Sequence, residues 1–276
     1  SAETYAGVDF WASDRLKLPR YGLHKNLVQN PGFEQDFHFW GFDTLGTCKE
    51  SRLEEYYEIV AEGAFAGKRC VKLRGEQGQS PAGISTFSIP VEPGKTYVLS
   101  FHARADKPGR SLAVNARTAD WPVFPIQKTF SVDTEWKRQS AEFLAPNGAV
   151  SLAFSIPALA EDSTVWLDAV QLEAGALTAY AEKPAGVTLV TAARDHSVEP
   201  GAPAQATLRL HGPAGAAGKL GVTATDLFGA VVHASDQEIK LDESGAAAIA
   251  LPWADVLDRG LYIVETHLSL ADGFAD

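Results

Sequence analysis

The sequence predicts an all-β protein built as two β-sandwiches in tandem. Three observations predict it. Residues 26–181 form a series of short runs in which apolar and polar residues alternate, the period of a strand with one buried face. Gly, Pro, Asn and Asp break these runs at short intervals, as turns between antiparallel strands require. Helical periodicity is absent except for a single turn's worth at Trp253–Leu257.

The elements follow in chain order. Residues 1–22 read as an irregular N-terminal extension whose Val8, Phe10, Trp11 and Leu16 are apolar enough to dock. In 97–104, Tyr97, Leu99, Phe101 and Ala103 point one way and Val98, Ser100, His102 and Arg104 the other. Asp106-Lys107-Pro108-Gly109 is turn chemistry. The next strand sets Leu112, Val114, Ala116 and Thr118 against Ala113, Asn115 and Arg117. A hairpin pairing Ala103 with Leu112 puts both apolar sets on one face and both polar sets on the other, and a slip of one residue destroys the match. Residues 150–156 repeat the pattern, with only Ser151, Ala153 and Ser155 on the polar side, which leaves room above the sheet.

Around Tyr180–Gly186 the segment Ala-Glu-Lys-Pro-Ala-Gly reads as a linker. Beyond it the chain is rich in Ala and Gly and almost free of aromatics. Candidate strands at 187–193, 204–211, 219–226, 230–240, 246–251 and 260–270 have the spacing of an immunoglobulin-like sandwich. Val198–Gly201 and Asp258–Gly260 are its turns. Such a sandwich wants one strand more, so either a fragment of a longer protein or a last strand supplied elsewhere is expected.

The bulk numbers bound the function. With 276 residues and 45% hydrophobic content, the chain can bury real cores. Its net charge of -11 disfavours nucleic acid but not neutral sugars. No apolar run is long enough to span a bilayer. The chain has no methionine, so Ser1 is expected to be a mature or excised terminus. Cys48 and Cys70 allow one disulfide or two buried thiols. The seven histidines include no His-x-x-x-His pair, and neither a Gly-x-Ser-x-Gly elbow nor a phosphate-cradling loop occurs. Acidic neighbours such as Glu54 and Glu55 read as solvated surface. No catalytic residue is therefore expected.

Three segments carry a resemblance. They are Asn26-Leu27-Val28-Gln29-Asn30-Pro31-Gly32-Phe33-Glu34 followed by Trp40, then Pro93–Arg104, then Val165-Trp166-Leu167-Asp168-Ala169-Val170-Gln171-Leu172. In order and spacing the chain resembles, over about 24–175, the jelly-roll carbohydrate-binding modules of xylan- and glucan-binding type, with a galactose-binding-like fold. The resemblance implies a jelly-roll domain over 23–181 and leaves 187–276 for the immunoglobulin-like one. It also implies packing roles for Trp40 and Trp136, and a structural calcium held by Glu34 and Asp168 with carbonyls near Gly67–Arg69. The bare residues equally allow Glu34 and Asp168 to accept backbone hydrogen bonds. Trp166, on one face with Asp168, Val170 and Leu172, reads as core or metal-edge packing, and Trp253 as core of the second domain.

Sugar recognition needs aromatic faces for the apolar sides of the rings and hydrogen-bonders for the hydroxyls. The expected groove joins His102, Arg104, Asn115 and Arg117 of the hairpin's polar face. The following loop adds Asp120, Trp121, Phe124 and Gln127, and Tyr56 and Tyr57 border the same face. The expected function is the non-catalytic carbohydrate-binding region of a larger glycan-degrading enzyme, extracellular, cell-surface or periplasmic, with polysaccharide as partner. A structural or interaction scaffold that binds no sugar is the alternative, since a fold alone does not give function.

Overall fold

The computed structural model describes residues 26–37, 39–44, 56–61, 63–77, 82–118, 123–157, 161–181, 185–191, 202–257 and 260–271. The chain divides into two compact units, Ser1–Glu182 and Lys183–Asp276, and the division falls in the segment read as a linker. No helix among the described residues is long and apolar enough to cross a membrane.

The first unit is a jelly-roll sandwich of two antiparallel sheets. The larger sheet has the order β1 (Trp40–Thr44), β4 (Ala82–Thr86), β10 (Ala149–Ile156), β7 (Arg110–Thr118), β8 (Ile126–Val132), with β5 (Ile89–Pro90) also on β10. The smaller has the order β2 (Tyr57–Val60), β3 (Cys70–Gly75), β11 (Ser163–Ala174), β6 (Thr96–Ala105), β9 (Lys137–Leu144). Period-two alternation turns one side of each sheet inward. Leu99 and Phe101 of β6 meet Leu112 and Val114 of β7, Leu152 and Phe154 of β10, and Leu167 of β11 in one core. Three phenylalanines knit the layers together: Phe101 meets Phe130 and Phe154 edge-on, each at 5.2 Å between ring centroids.

The expected β6–β7 hairpin does not form. β6 pairs with β9 and β11, and β7 with β8 and β10, so the two strands lie in different sheets. Their apolar sets do face a common core, but across the sandwich rather than side by side. Alternation reports which side of a strand is buried, and it is blind to whether the next strand is a neighbour or lies opposite. The connection between them is locked by Arg110, whose largely buried guanidinium grips Asp106 at 2.9 and 3.1 Å and Glu161 at 2.8 Å. Burial pushes the Asp106 carboxyl up, but the Arg110 side chain and the Thr164 N–H outweigh it and hold it below the ordinary carboxylate value.

The Asn-Pro-Gly-Phe-Glu element works through its own Asn30 and through Asn26, four residues before it. Asn26 Oδ1 accepts from Val28 N and Leu172 N, each at 3.0 Å, and Nδ2 donates to the Val170 carbonyl at 3.0 Å. This ties the entering chain to β11. Asn30 sits in the left-handed region (φ 47°), which Asn tolerates better than most residues. Its side chain closes the loop onto Gln35 N (3.0 Å) and the Asp36 carbonyl (2.8 Å), and its carbonyl accepts from Trp40 Nε1 at 3.0 Å. Trp40 is thereby fixed in the core against Phe33, 4.8 Å between centroids.

In β11 the register jumps between Asp168 and Gln171, with Ala169 at φ 53°. This bulge reverses the parity of the strand. Trp166 and Asp168 point outward with Arg104 and His102, while Val170 and Leu172 join the core. The shared face read for Trp166, Asp168, Val170 and Leu172 is corrected accordingly. Simple alternation cannot anticipate an inserted residue.

The second unit holds two three-stranded sheets. One is β12 (Gly186–Val190), β13 (Thr207–His211) and β16 (Ala246–Ala250). The other is β15 (Val231–Lys240), β14 (Ala217–Asp226) and β17 (Tyr262–Leu270). Leu208, Leu210, Leu220, Val222, Leu251 and Leu268 make its core, and Trp253, on a single 3-10 turn at Pro252–Val256, packs against it. The Val198–Gly201 turn and Asp258 and Arg259 lie outside the described residues. The sparse aromatics are not all interior. Phe228 is 90% exposed in the β14–β15 turn, which Asp226 Oδ1 holds through the N–H groups of Phe228 (2.9 Å) and Ala230 (2.8 Å).

Candidate functional site

Because β6 and β7 lie in opposite sheets, the expected groove separates into two faces. Asn115 and Arg117 look out from the six-stranded sheet, whereas His102 and Arg104 look out from the five-stranded sheet on the other side. Tyr56 and Tyr57 lie on neither face. Both rings are buried in the core; the Tyr57 hydroxyl accepts from Gly83 N at 3.1 Å, and the Tyr56 hydroxyl donates to Glu76 at 3.2 Å. Asp120 and Trp121 lie outside the described residues. Phe124 is half-buried just before β8.

On the six-stranded sheet the outward side chains can be read row by row. Gly41, Ser85, Ala153, Asn115 and Gln127 stand opposite one another across β1, β4, β10, β7 and β8. Gly83 and Ser155 follow in the next row, and Ser151 pairs with Arg117 in the row before. The middle of the face is thus lined by glycine, alanine and serine, recessed so that Gly83, Ala153 and Ser155 are buried. At Gly83 the backbones of β4 and β10 approach so closely that a Cβ would stand 2.4 Å from the Phe154 carbonyl oxygen. Phe87 rises at one side. It follows Thr86 with outward parity, is 51% exposed, and its ring lies 3.8 Å from where a Cβ on Gly41 would stand. Asn115, Arg117 and Gln127 rise at the other side, two to three strands away, which is about 10–14 Å. A small-residue floor with an aromatic wall and a wall of planar hydrogen-bonders has the chemistry to take a sugar chain lying across the strands.

Sequence reasoning named Asn115, Arg117 and Gln127 but missed Phe87. The signal was present. Ile84 faces the core, so Phe87, three residues on, faces out.

The five-stranded sheet's outer face is covered by its own chain. Phe65 stacks on His102 at 3.6 Å between centroids, with the planes 11° apart. Trp136 meets Phe65 edge-on at 6.2 Å and donates Nε1–H to the Gly63 carbonyl at 3.0 Å. The Arg104 guanidinium lies 4.2 Å over the Trp166 ring and 5.4 Å from that of Trp136. Both His102 and Arg104 are therefore packed. Burial, aided by the Arg138 charge, pushes the His102 imidazole down to about 4, so it is neutral at pH 7. Trp136 packs, as the sequence implied, but on a strap of chain rather than in the core.

Glu34 and Asp168 bracket that strap. Glu34 Oε1 accepts from Lys68 N (2.6 Å) and Arg69 N (2.9 Å). Asp168, with no exposed surface, accepts from Phe65 N (2.8 Å) and Ala66 N (3.1 Å) through Oδ2 and from Ala169 N (2.6 Å) through Oδ1. In the segment near Gly67–Arg69, expected to offer carbonyls, the N–H groups of Lys68 and Arg69 turn to Glu34. Cys70 sits among these groups as a buried free thiol, pushed up to about 12 by burial and by the charges of Asp168 and Glu34; Cys48 lies outside the described residues. Among the described residues no three His, Cys, Asp or Glu side chains gather to hold a metal.

Residues 25–161 match the model of a family described as a carbohydrate binding domain. Similar solved structures include a family 61 carbohydrate-binding module in complex with β-1,4-galactotriose, 19% identical, covering 54% of this chain and 99% of that one, TM-score 0.40. A xylan-binding domain of Paenibacillus barcinonensis Xyn10C is 18% identical over 49% and 85% of the two chains, TM-score 0.35. The N-terminal cellulose-binding domain of Cellulomonas fimi β-1,4-glucanase C is 18% identical over 45% and 91%, TM-score 0.34. No curated protein matches the chain.

Proposed function

We propose that this chain, whose residues 25–161 are a carbohydrate-binding domain, is a non-catalytic tether that holds a larger extracellular glycan-degrading enzyme on its polysaccharide. The observation that carries the reading is the outer face of the six-stranded sheet, a small-residue floor between Phe87 and the trio Asn115, Arg117 and Gln127. Tethering acts by effective concentration. A weak module that keeps the linked enzyme near its substrate raises the encounter rate without chemistry of its own. The test is calorimetric titration with a panel of soluble polysaccharides. Binding of at least one neutral glycan supports the reading, and silence across the panel leaves only a scaffold.

Calcium belongs to the same proposal. A hard cation takes carboxylate and carbonyl oxygens. Glu34 and Asp168 supply the carboxylates, and Glu34 Oε2 lies outside the two bonds made by Oε1. Asp168 already accepts N–H groups through both of its oxygens, so an ion bound there would have to displace them. The ion would supply positive charge where the N–H groups of the strap now do, steadying the strap. Adding calcium to chelator-treated protein is expected to raise the melting temperature of the first unit by a few degrees, because an ion bound only to the native state stabilises it. An unchanged melting point at millimolar calcium would remove Glu34 and Asp168 as ligands.

A further inference from the structure

We propose that the outer face of the five-stranded sheet carries a second saccharide platform, the exposed ring of Phe65, so that the first unit grips glycan on both sides of the sandwich. The proposal rests on the glycan reading of the six-stranded sheet and adds a site to it. Phe65 is 42% exposed, and one face of its ring is taken by His102. Its outer face is left to solvent.

An exposed phenylalanine is usually incidental. This one is held rigid. Its own N–H and that of Ala66 are bound to Asp168, a carboxylate with no exposed surface, and the strap is bound again by Glu34 three and four residues on. Beneath the ring lies the His102 imidazole, stacked at 3.6 Å with the planes 11° apart, which fixes the tilt of the ring. Trp136 adds an edge-on aromatic wall at 6.2 Å. A pre-ordered ring loses little freedom on binding, which is where stacking contacts with sugars otherwise lose affinity. Two separate platforms on one rigid sandwich would let a single unit engage two chains, or two loops of one chain, and gain avidity.

The test uses the whole chain and a soluble polysaccharide that it binds in the panel, followed by calorimetry and tryptophan fluorescence. Phe87→Ala is expected to weaken binding at the first face and leave a weaker residual isotherm that still perturbs Trp136 emission. Adding Phe65→Ala should abolish that residual, while Phe65→Trp should keep it, since a ring remains. Wild type should also cross-link the polysaccharide, read as turbidity, and each single alanine variant should not. If Phe87→Ala alone silences every signal, or Phe65→Ala leaves the residual intact, there is one platform and the proposal falls while the glycan reading stands. If wild type binds nothing, both fall. Unchanged circular dichroism of Phe65→Ala excludes unfolding as the cause.

Discussion

Phe87→Ala is expected to weaken glycan binding by about tenfold or more without lowering the melting temperature by more than a degree or two. The two halves of this expectation come from the same geometry. The ring is half exposed and lies over Gly41 at the side of a floor that has no other aromatic among its described residues. Removing it deletes little buried contact, so the fold loses little. The ligand loses a stacking surface on that face, about 1–1.5 kcal/mol from the aromatic contact alone, which is about tenfold in affinity. Phe87→Trp should bind as well as wild type or better, because the larger ring still fits over Gly41. Titration of both variants against the same polysaccharide decides it. A wild-type affinity in Phe87→Ala would move the site off this face, and a large loss of stability in that variant would mean that the ring is structural.

How much of this was legible in the sequence depends on what each pattern can encode. Strand existence and the inward side chains follow from alternation, and Leu99, Phe101, Leu112, Val114, Leu152 and Phe154 all take the core side that it assigned. Pairing does not follow from alternation. The β6–β7 hairpin satisfied every local rule, yet the chain crosses to the other sheet at Asp106–Arg110, and that crossing is held by an Arg110 pairing with Glu161 that is distant in sequence. The site inherits the error. His102 and Arg104 separate from Asn115 and Arg117 because one topological choice sends their strands to opposite faces. The bulge at Ala169 shows a second limit, for one extra residue inverts everything after it. Phe65 was illegible for a third reason. It lies in the segment Ala64-Phe65-Ala66-Gly67, which has no period, and its position is set by Asp168, about a hundred residues away.

Asp168→Ala is expected to destabilise the first unit by about 3 kcal/mol, a fall of about 6–12 °C in its melting temperature. The carboxylate has no exposed surface and serves three backbone N–H groups, those of Phe65, Ala66 and Ala169. Alanine leaves all three buried or half-buried donors without their acceptor, and each such loss costs about 1–3 kcal/mol before relaxation. Water entering where the strap meets β11 will recover part of it, which brings the total toward the lower figure. Asp168→Asn is the sharper variant. An amide has one oxygen where the carboxylate has two, so its NH2 must face either Ala169 N or the Phe65 and Ala66 pair, donor against donor. Asparagine should therefore recover at most about half of the loss, although its size is unchanged. Hydrogen exchange gives the local reading. The amides of Phe65 and Ala66 should exchange faster in both variants, while those in the β6–β9 pairing keep their protection against local opening. If Asp168→Asn melts with wild type, then size and not charge is what the position requires, and the strap beneath Phe65 must be held by something other than this carboxylate.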